Sequence, residues 1–112
     1  MCTKNQALEI LKKAYCRSEA LYGDIQEAYL YGSYARGDAH SESDIDILLS
    51  VPLSAEKIAQ RRMDMAKITS ELSLEYDITV SVAVKPAEQF ERYKTVLPYY
   101  RNVIAEGIQY AG

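Results

Sequence analysis

The eight residues Asp44-Ile45-Asp46-Ile47-Leu48-Leu49-Ser50-Val51 constrain the fold of this chain more than any other stretch. Successive side chains of a strand point to opposite faces, so Ile45, Ile47 and Leu49 share one face while Asp44 and Asp46 share the other. Pro52 ends the run, because proline cannot donate to a strand ladder. A second alternating run over residues 77–84 predicts another strand of the same kind. There Ile78, Val80, Val82 and Val84 form the apolar row, and Asp77, Thr79 and Ser81 form the opposite, more polar one. If the two strands lie side by side, Asp44, Asp46 and Asp77 converge on one small area.

The rest of the chain supplies a short strand and helices to cover such a sheet. Residues 4–21 read as a helix, with Thr3 and Gln6 at capping-box spacing and Leu8, Leu11, Tyr15 and Tyr22 on one face. Gly23 closes it. Residues 25–31 predict a strand that stops at Gly32-Ser33, and residues 34–43 form a polar stretch with no useful period. Ser54 caps a second helix over residues 54–74, with Ile58, Met65, Ile68 and Leu72 inward. Pro86 and Pro98 each sit at the first position of a short helix, the last ending near Gly107. The order helix, strand, strand, helix, strand, helix, helix predicts a small α/β (α+β) fold, a mixed sheet with helices packed on it. With 112 residues, 48% of them apolar, residues 1–112 fit a single domain with an ordinary core.

Three carboxylates on one sheet face demand an explanation. Two like charges about 4 Å apart repel by roughly 4 kcal/mol at an effective dielectric of about 20. A domain of this size has only about 5–15 kcal/mol of net stability to lose. Such a cluster needs a cation, a shared proton or distance. Mg²⁺ suits it best, since it takes one or two carboxylates and completes its shell with water and phosphate oxygens. Taken alone, an Asp-x-Asp is equally a pair of solvated strand residues. The residues upstream shift that balance. Gly32 at a strand exit lets backbone amides approach a phosphate, and Ser33 adds a hydroxyl donor. A phosphate loop beside a carboxylate pair is the general requirement for phosphoryl or nucleotidyl transfer. It is not a P-loop, because no Gly-Lys-Ser/Thr follows.

Gly32-Ser33-Tyr34-Ala35-Arg36-Gly37, followed by Ser43-Asp44-Ile45-Asp46-Ile47-Leu48, resembles the signature of the DNA polymerase β-like nucleotidyltransferase superfamily. Within it, the chain is similar to the minimal nucleotidyltransferases (MNT) over nearly its whole length, including the closing Leu97-Pro98-Tyr99-Tyr100-Arg101-Asn102-Val103-Ile104-Ala105-Glu106-Gly107. The resemblance implies that Asp44 and Asp46 hold the metal ions that bind the triphosphate of ATP. It implies that Asp77 completes the metal site and helps activate the acceptor hydroxyl, and that Gly32 and Ser33 hold the β and γ phosphates. No departure from that pattern is visible at these five positions. It also implies a partner. MNT proteins act as antitoxins beside a helical HEPN-type ribonuclease, so the expected reaction is transfer of AMP from ATP to a toxin tyrosine. The chain stops soon after Asp77 with no acceptor domain, so the acceptor is expected on another protein. Two alternatives stay open: a non-catalytic, nucleotide-binding antitoxin that masks its partner, and a subunit that nucleotidylates a small molecule such as an antibiotic.

Other residues carry less. Arg36 contacts phosphate or departing pyrophosphate, or makes a salt bridge that supports the loop. Tyr34, beside the phosphate loop, is the one tyrosine considered for nucleotide contact; Tyr15, Tyr22 and Tyr100 fit helix faces as core or interface residues. His40 is read as a surface histidine, since one histidine makes no zinc site. Lys57, Arg61, Arg62 and Lys67 read as a solvated helix face. The net charge of −3 argues against direct nucleic-acid binding, which calls for a basic stripe. Cys2 and Cys16 are too far apart for a Cys-x-x-Cys pair. No signal peptide and no membrane span is expected, which points to the cytoplasm.

Overall fold

The computed structural model describes residues 3–110, so Cys2 lies outside the described residues. A four-stranded mixed sheet forms its middle, in the order β3-β2-β1-β4. Helix α1 (Lys4–Tyr22) leads into β1 (Glu27–Tyr31), the one-turn helix α2 (Ser33–Arg36) and β2 (Ile45–Val51). Helices α3 (Ala55–Gln60) and α4 (Arg62–Tyr76) cross over to β3 (Val80–Pro86). Then α5 (Ala87–Tyr93) and α6 (Pro98–Glu106) return the chain to β4 (Ile108–Gln109). Strand β2 is antiparallel to β1 and parallel to β3, as a crossover through α3 and α4 requires.

Local chemistry explains the element ends. The Thr3 hydroxyl accepts from the Gln6 N–H at 3.1 Å, and the Gln6 side chain accepts from the Thr3 N–H at 2.9 Å, completing the capping box of α1. Gly23 closes α1 at φ 77°, where a side chain would be strained. The Ser54 hydroxyl accepts from the Lys57 N–H and opens α3. The single helix expected over residues 54–74 is two helices, because Arg61 leaves helical geometry at φ −103° and ψ 8°. The polar stretch after Gly32 holds α2, which was not foreseen. Pro98 stands at the first position of α6, whereas Pro86 ends β3.

The third strand begins later than expected. Residue Asp77 does not start it; it is the C-cap of α4, in the left-handed conformation at φ 52° and ψ 47°. Its N–H donates to the Ser73 carbonyl, the Ile78 N–H reaches the same carbonyl at 3.1 Å, and the Ser73 hydroxyl accepts from the Val80 N–H at 3.0 Å. Residues 77–79 are therefore spent on closing the helix, and a short polar residue such as aspartate tolerates the left-handed cap.

The two sheet faces divide the core. On one, Ile45, Ile47, Leu49 and Val51 pack with Ala7, Ile10, Leu11 and Ala14 of α1 and Met65 and Leu72 of α4. The apolar row of Ile78, Val80, Val82 and Val84 joins that cluster, as the alternation predicts. On the other face a smaller cluster of Tyr29, Leu48, Phe90, Tyr100 and Val103 seats α5 and α6. Asp46 has the parity of Leu48 and so lies on this second face, which the helices cover only in part.

Candidate active site

The site forms where β1 and β2 meet α2. Three strands place one residue each in a row across the sheet, with Tyr31 opposite Asp46 on one side and Ser81 opposite it on the other. Gly32 follows Tyr31 directly. Its φ of 77° and ψ of −156° belong to a region that only glycine enters readily. A Cβ there would lie 2.5 Å from Oδ2 of Asp46. The backbone conformation demands glycine, and the close approach sets the Asp46 carboxylate against the turn that opens α2. The Gly32 carbonyl accepts from the Ala35 and Arg36 N–H groups, and the Ser33 carbonyl from those of Gly37 and Asp38. Ser33 is thus the first residue of a fixed turn beside that carboxylate.

Asp44 reaches the site on a second fixed turn. The Ser43 hydroxyl accepts from the His40 N–H at 2.9 Å, and the Ser43 N–H donates to the His40 carbonyl at 3.0 Å. Ile45 then enters the ladder, its N–H donating to the Thr79 carbonyl at 2.9 Å. Asp44 is exposed and Asp46 half-buried. Burial and then the charge of Asp44 raise the Asp46 carboxyl above its ordinary range, and the Arg36 guanidinium opposes them. Arg36 itself is engaged by Asp38 at 3.2 Å and Glu106 at 3.3 Å. It ties α2 to the end of α6, which is the supporting salt bridge of the two roles considered, and its charge still reaches Asp46.

The expected third carboxylate does not stand on β3. Asp77 is exposed at the end of α4, and it does not figure among the charges that act on Asp46. Among the described residues no three of His, Cys, Asp and Glu form a group able to hold a metal. Tyr34 also departs from expectation. It is 3% exposed and belongs to the core cluster under α1, which leaves no face for a nucleotide. His40 is exposed, as read.

Sequence reasoning missed a tyrosine pair beside the carboxylates. The Tyr31 and Tyr99 hydroxyls lie 2.8 Å apart, with their rings edge to face at 5.8 Å. Burial, then the bond to Tyr99, and also the charge of Asp46 push the Tyr31 phenol well up. Tyr99 is raised by burial above all, and Asp46 contributes there too. One of the two hydroxyls donates to the other, and both phenols hold their protons more tightly than a free tyrosine. The parity of β1 could have placed Tyr31, but only the docking of α6 brings Tyr99 to it.

This arrangement can bind a cation and a phosphate chain. Two adjacent carboxylates, one of them in an environment that resists a lone negative charge, fit a hard divalent ion such as Mg²⁺. The glycine turn that opens α2 lies against Asp46, and Tyr31 and Ser81 stand on either side of it in the row across the sheet. A fold and a site of this kind define a nucleotidyltransferase.

Comparison with known proteins shows the family. The chain belongs to the nucleotidyltransferase domain family, whose model matches residues 8–111. Members of that family generally use a divalent metal and a nucleotide. Two proteins of Methanocaldococcus jannaschii are similar to it. "Putative protein adenylyltransferase MJ0604" is 34% identical over 76% of this chain and 77% of its own length. "Putative protein adenylyltransferase MJ0141" is 35% identical over 68% and 76%. Among solved structures, a mutant of the toxin-antitoxin pair MntA-HpeT matches all of this chain and 74% of its own, with a TM-score of 0.57 and 21% identity. A toxin-antitoxin structure with AMP-PNP matches 95% of this chain and 70% of its own, with a TM-score of 0.55 and 21% identity. Both share the fold. No described helix is long and apolar enough to cross a membrane.

Proposed function

We propose that this chain transfers AMP from ATP, with Mg²⁺, to a tyrosine hydroxyl of a HEPN-type toxin and so acts as its antitoxin in the cytoplasm. The observation that carries this reading is the approach of Gly32 to the Asp46 carboxylate; on this reading Gly32 opens the phosphate turn and Asp46 is one of the metal-binding pair. The names of the relatives, two protein adenylyltransferases and two toxin-antitoxin structures, support the acceptor class.

Asp44 and Asp46 hold the ion, and Gly32 and Ser33 hold the β and γ phosphates. When bound, the ion neutralises the triphosphate and stabilises charge on the departing pyrophosphate. The tyrosine oxygen attacks the α-phosphorus, the bond from that phosphorus to the β-phosphate bridging oxygen breaks, and pyrophosphate leaves. The phenolic proton passes to water. Arg36 adds positive charge next to Asp46 without leaving its partners Asp38 and Glu106. An adenylyl group on the toxin adds bulk and negative charge, and so blocks it.

The departure of Asp77 from the site favours a second reading, in which the chain binds nucleotide and masks the toxin without modifying it. Intact mass spectrometry of the toxin separates the two. After incubation with this chain and Mg²⁺-ATP, the first reading gives a gain of one or more adenylyl groups that Asp44→Asn with Asp46→Asn abolishes. An unmodified toxin that is still bound and neutralised by the double variant would overturn it.

A further inference from the structure

The row Tyr31, Asp46, Ser81 runs across three neighbouring strands, and side chains at paired positions of a sheet point to the same face. Asp46 is therefore flanked by two hydroxyls. A group able to share a ligand with Asp46 from this side stands at position 81, or two residues before it where the chain enters β3. Those positions hold Ser81 and Thr79. The one acidic residue nearby in sequence, Asp77, lies a further two residues back, in the left-handed cap of α4 and exposed. Its backbone is fixed by the bonds of residues 77 and 78 to the Ser73 carbonyl and by the Val80 bond to the Ser73 hydroxyl. Bringing Asp77 onto the strand would undo the end of the helix.

We propose that this chain is a two-carboxylate nucleotidyltransferase that holds one divalent ion with its nucleotide, with Ser81 standing where a third carboxylate would complete a second ion site. The inference rests on the reading of Asp44 and Asp46 as metal ligands. The ion held with the nucleotide completes its shell with the two carboxylates and phosphate oxygens, whereas a second ion set away from the phosphates finds no further carboxylate on β3. The consequence for chemistry is that no carboxylate of this chain takes the acceptor's proton. Catalysis rests on holding the triphosphate and drawing off charge, and the acceptor must lose its proton to water or to a base of its own protein. Ser81 is exposed, which leaves room for a larger side chain. Replacing it tests the position without unfolding the domain.

The test counts ions by Mn²⁺ electron paramagnetic resonance, titrating Mn²⁺ into the protein saturated with a non-hydrolysable ATP analogue. Free and analogue-bound Mn²⁺ are subtracted with a protein-free control, and circular dichroism checks each variant's fold. The expected result is one ion per chain for the parent and for Asp77→Asn, which keeps a residue tolerant of the left-handed cap. Ser81→Asp is expected to bind two, with the tighter one strengthened at least tenfold. Two ions on the parent, or loss of an ion in Asp77→Asn, would overturn the inference. A folded Ser81→Asp that still binds one ion at unchanged affinity would also overturn it. Binding of no ion in any variant would instead sink the reading of Asp44 and Asp46 on which the inference rests.

Discussion

Replacing Gly32 by alanine tests the junction of phosphate turn and carboxylate pair. The backbone at φ 77° and ψ −156° is one that a side chain enters at a cost of about 1–3 kcal/mol. The added Cβ also meets Oδ2 of Asp46 at 2.5 Å. That oxygen ends a short side chain, so it can swing aside cheaply, but in doing so it leaves the position the metal needs. Taking about 2 kcal/mol, and an unfolding entropy of about 2.1 cal/mol/K per residue over 112 residues, the melting temperature should fall by about 8 °C. Calorimetric unfolding measures this, and Mn²⁺ titration measures the loss of affinity in the same samples. Gly37→Ala is the control. Gly37 has φ 86° but open space around its Cβ position, so about 1 kcal/mol of stability goes and ion binding stays. A Gly32→Ala protein that melts and binds Mn²⁺ like the parent would refute the reasoning, since neither the strain nor the close approach would then be real.

Three further outcomes follow from the packing and charge. Burial and Asp44 raise the Asp46 carboxyl, so the folded chain holds that proton more tightly than the unfolded one. Without divalent ions, stability then falls as pH rises from the ordinary carboxylate value through the raised folded one. Asp46→Asn should therefore be the more stable protein in urea at neutral pH and lose that advantage in acid; an equally or less stable variant at neutral pH contradicts the assignment. Added Mg²⁺ should raise the melting temperature of the parent and leave that of Asp46→Asn unchanged. Phe90, at 1% exposure, anchors α5 on the sheet face that carries Asp46, and Phe90→Ala should cost about 3–5 kcal/mol in denaturant unfolding.

Much of this was legible because strands have a period of two. The face that carries Asp46 follows from alternation alone, and the apolar rows of β2 and β3 pack where parity puts them. The capping box of α1 was legible too, since it needs only residues three apart. What escaped depends on contacts distant in sequence or on competing local choices. Asp77-Ile78-Thr79-Val80 alternates like a strand, yet Asp77 is also a suitable left-handed cap, and α4 takes it. The joint at Arg61 has no proline or glycine to announce it. Tyr34 looked like a loop residue because α2 is a single turn, too short to show a helical period. Ser81 was visible on the polar row, but only the parallel register sets it opposite Asp46. Tyr99 meets Tyr31 from 68 residues away, which no local pattern encodes.

The central claim is nucleotidyl transfer, as distinct from phosphoryl transfer or masking, and the fate of two labels decides it. The toxin is incubated with this chain, Mg²⁺ and ATP labelled with ³²P at either the α or the γ phosphate. The account predicts that α-label enters the toxin and γ-label leaves as pyrophosphate, with both signals lost in the Asp44→Asn, Asp46→Asn double variant. Entry of γ-label into the toxin, or α-label entry that survives the double variant, would contradict it.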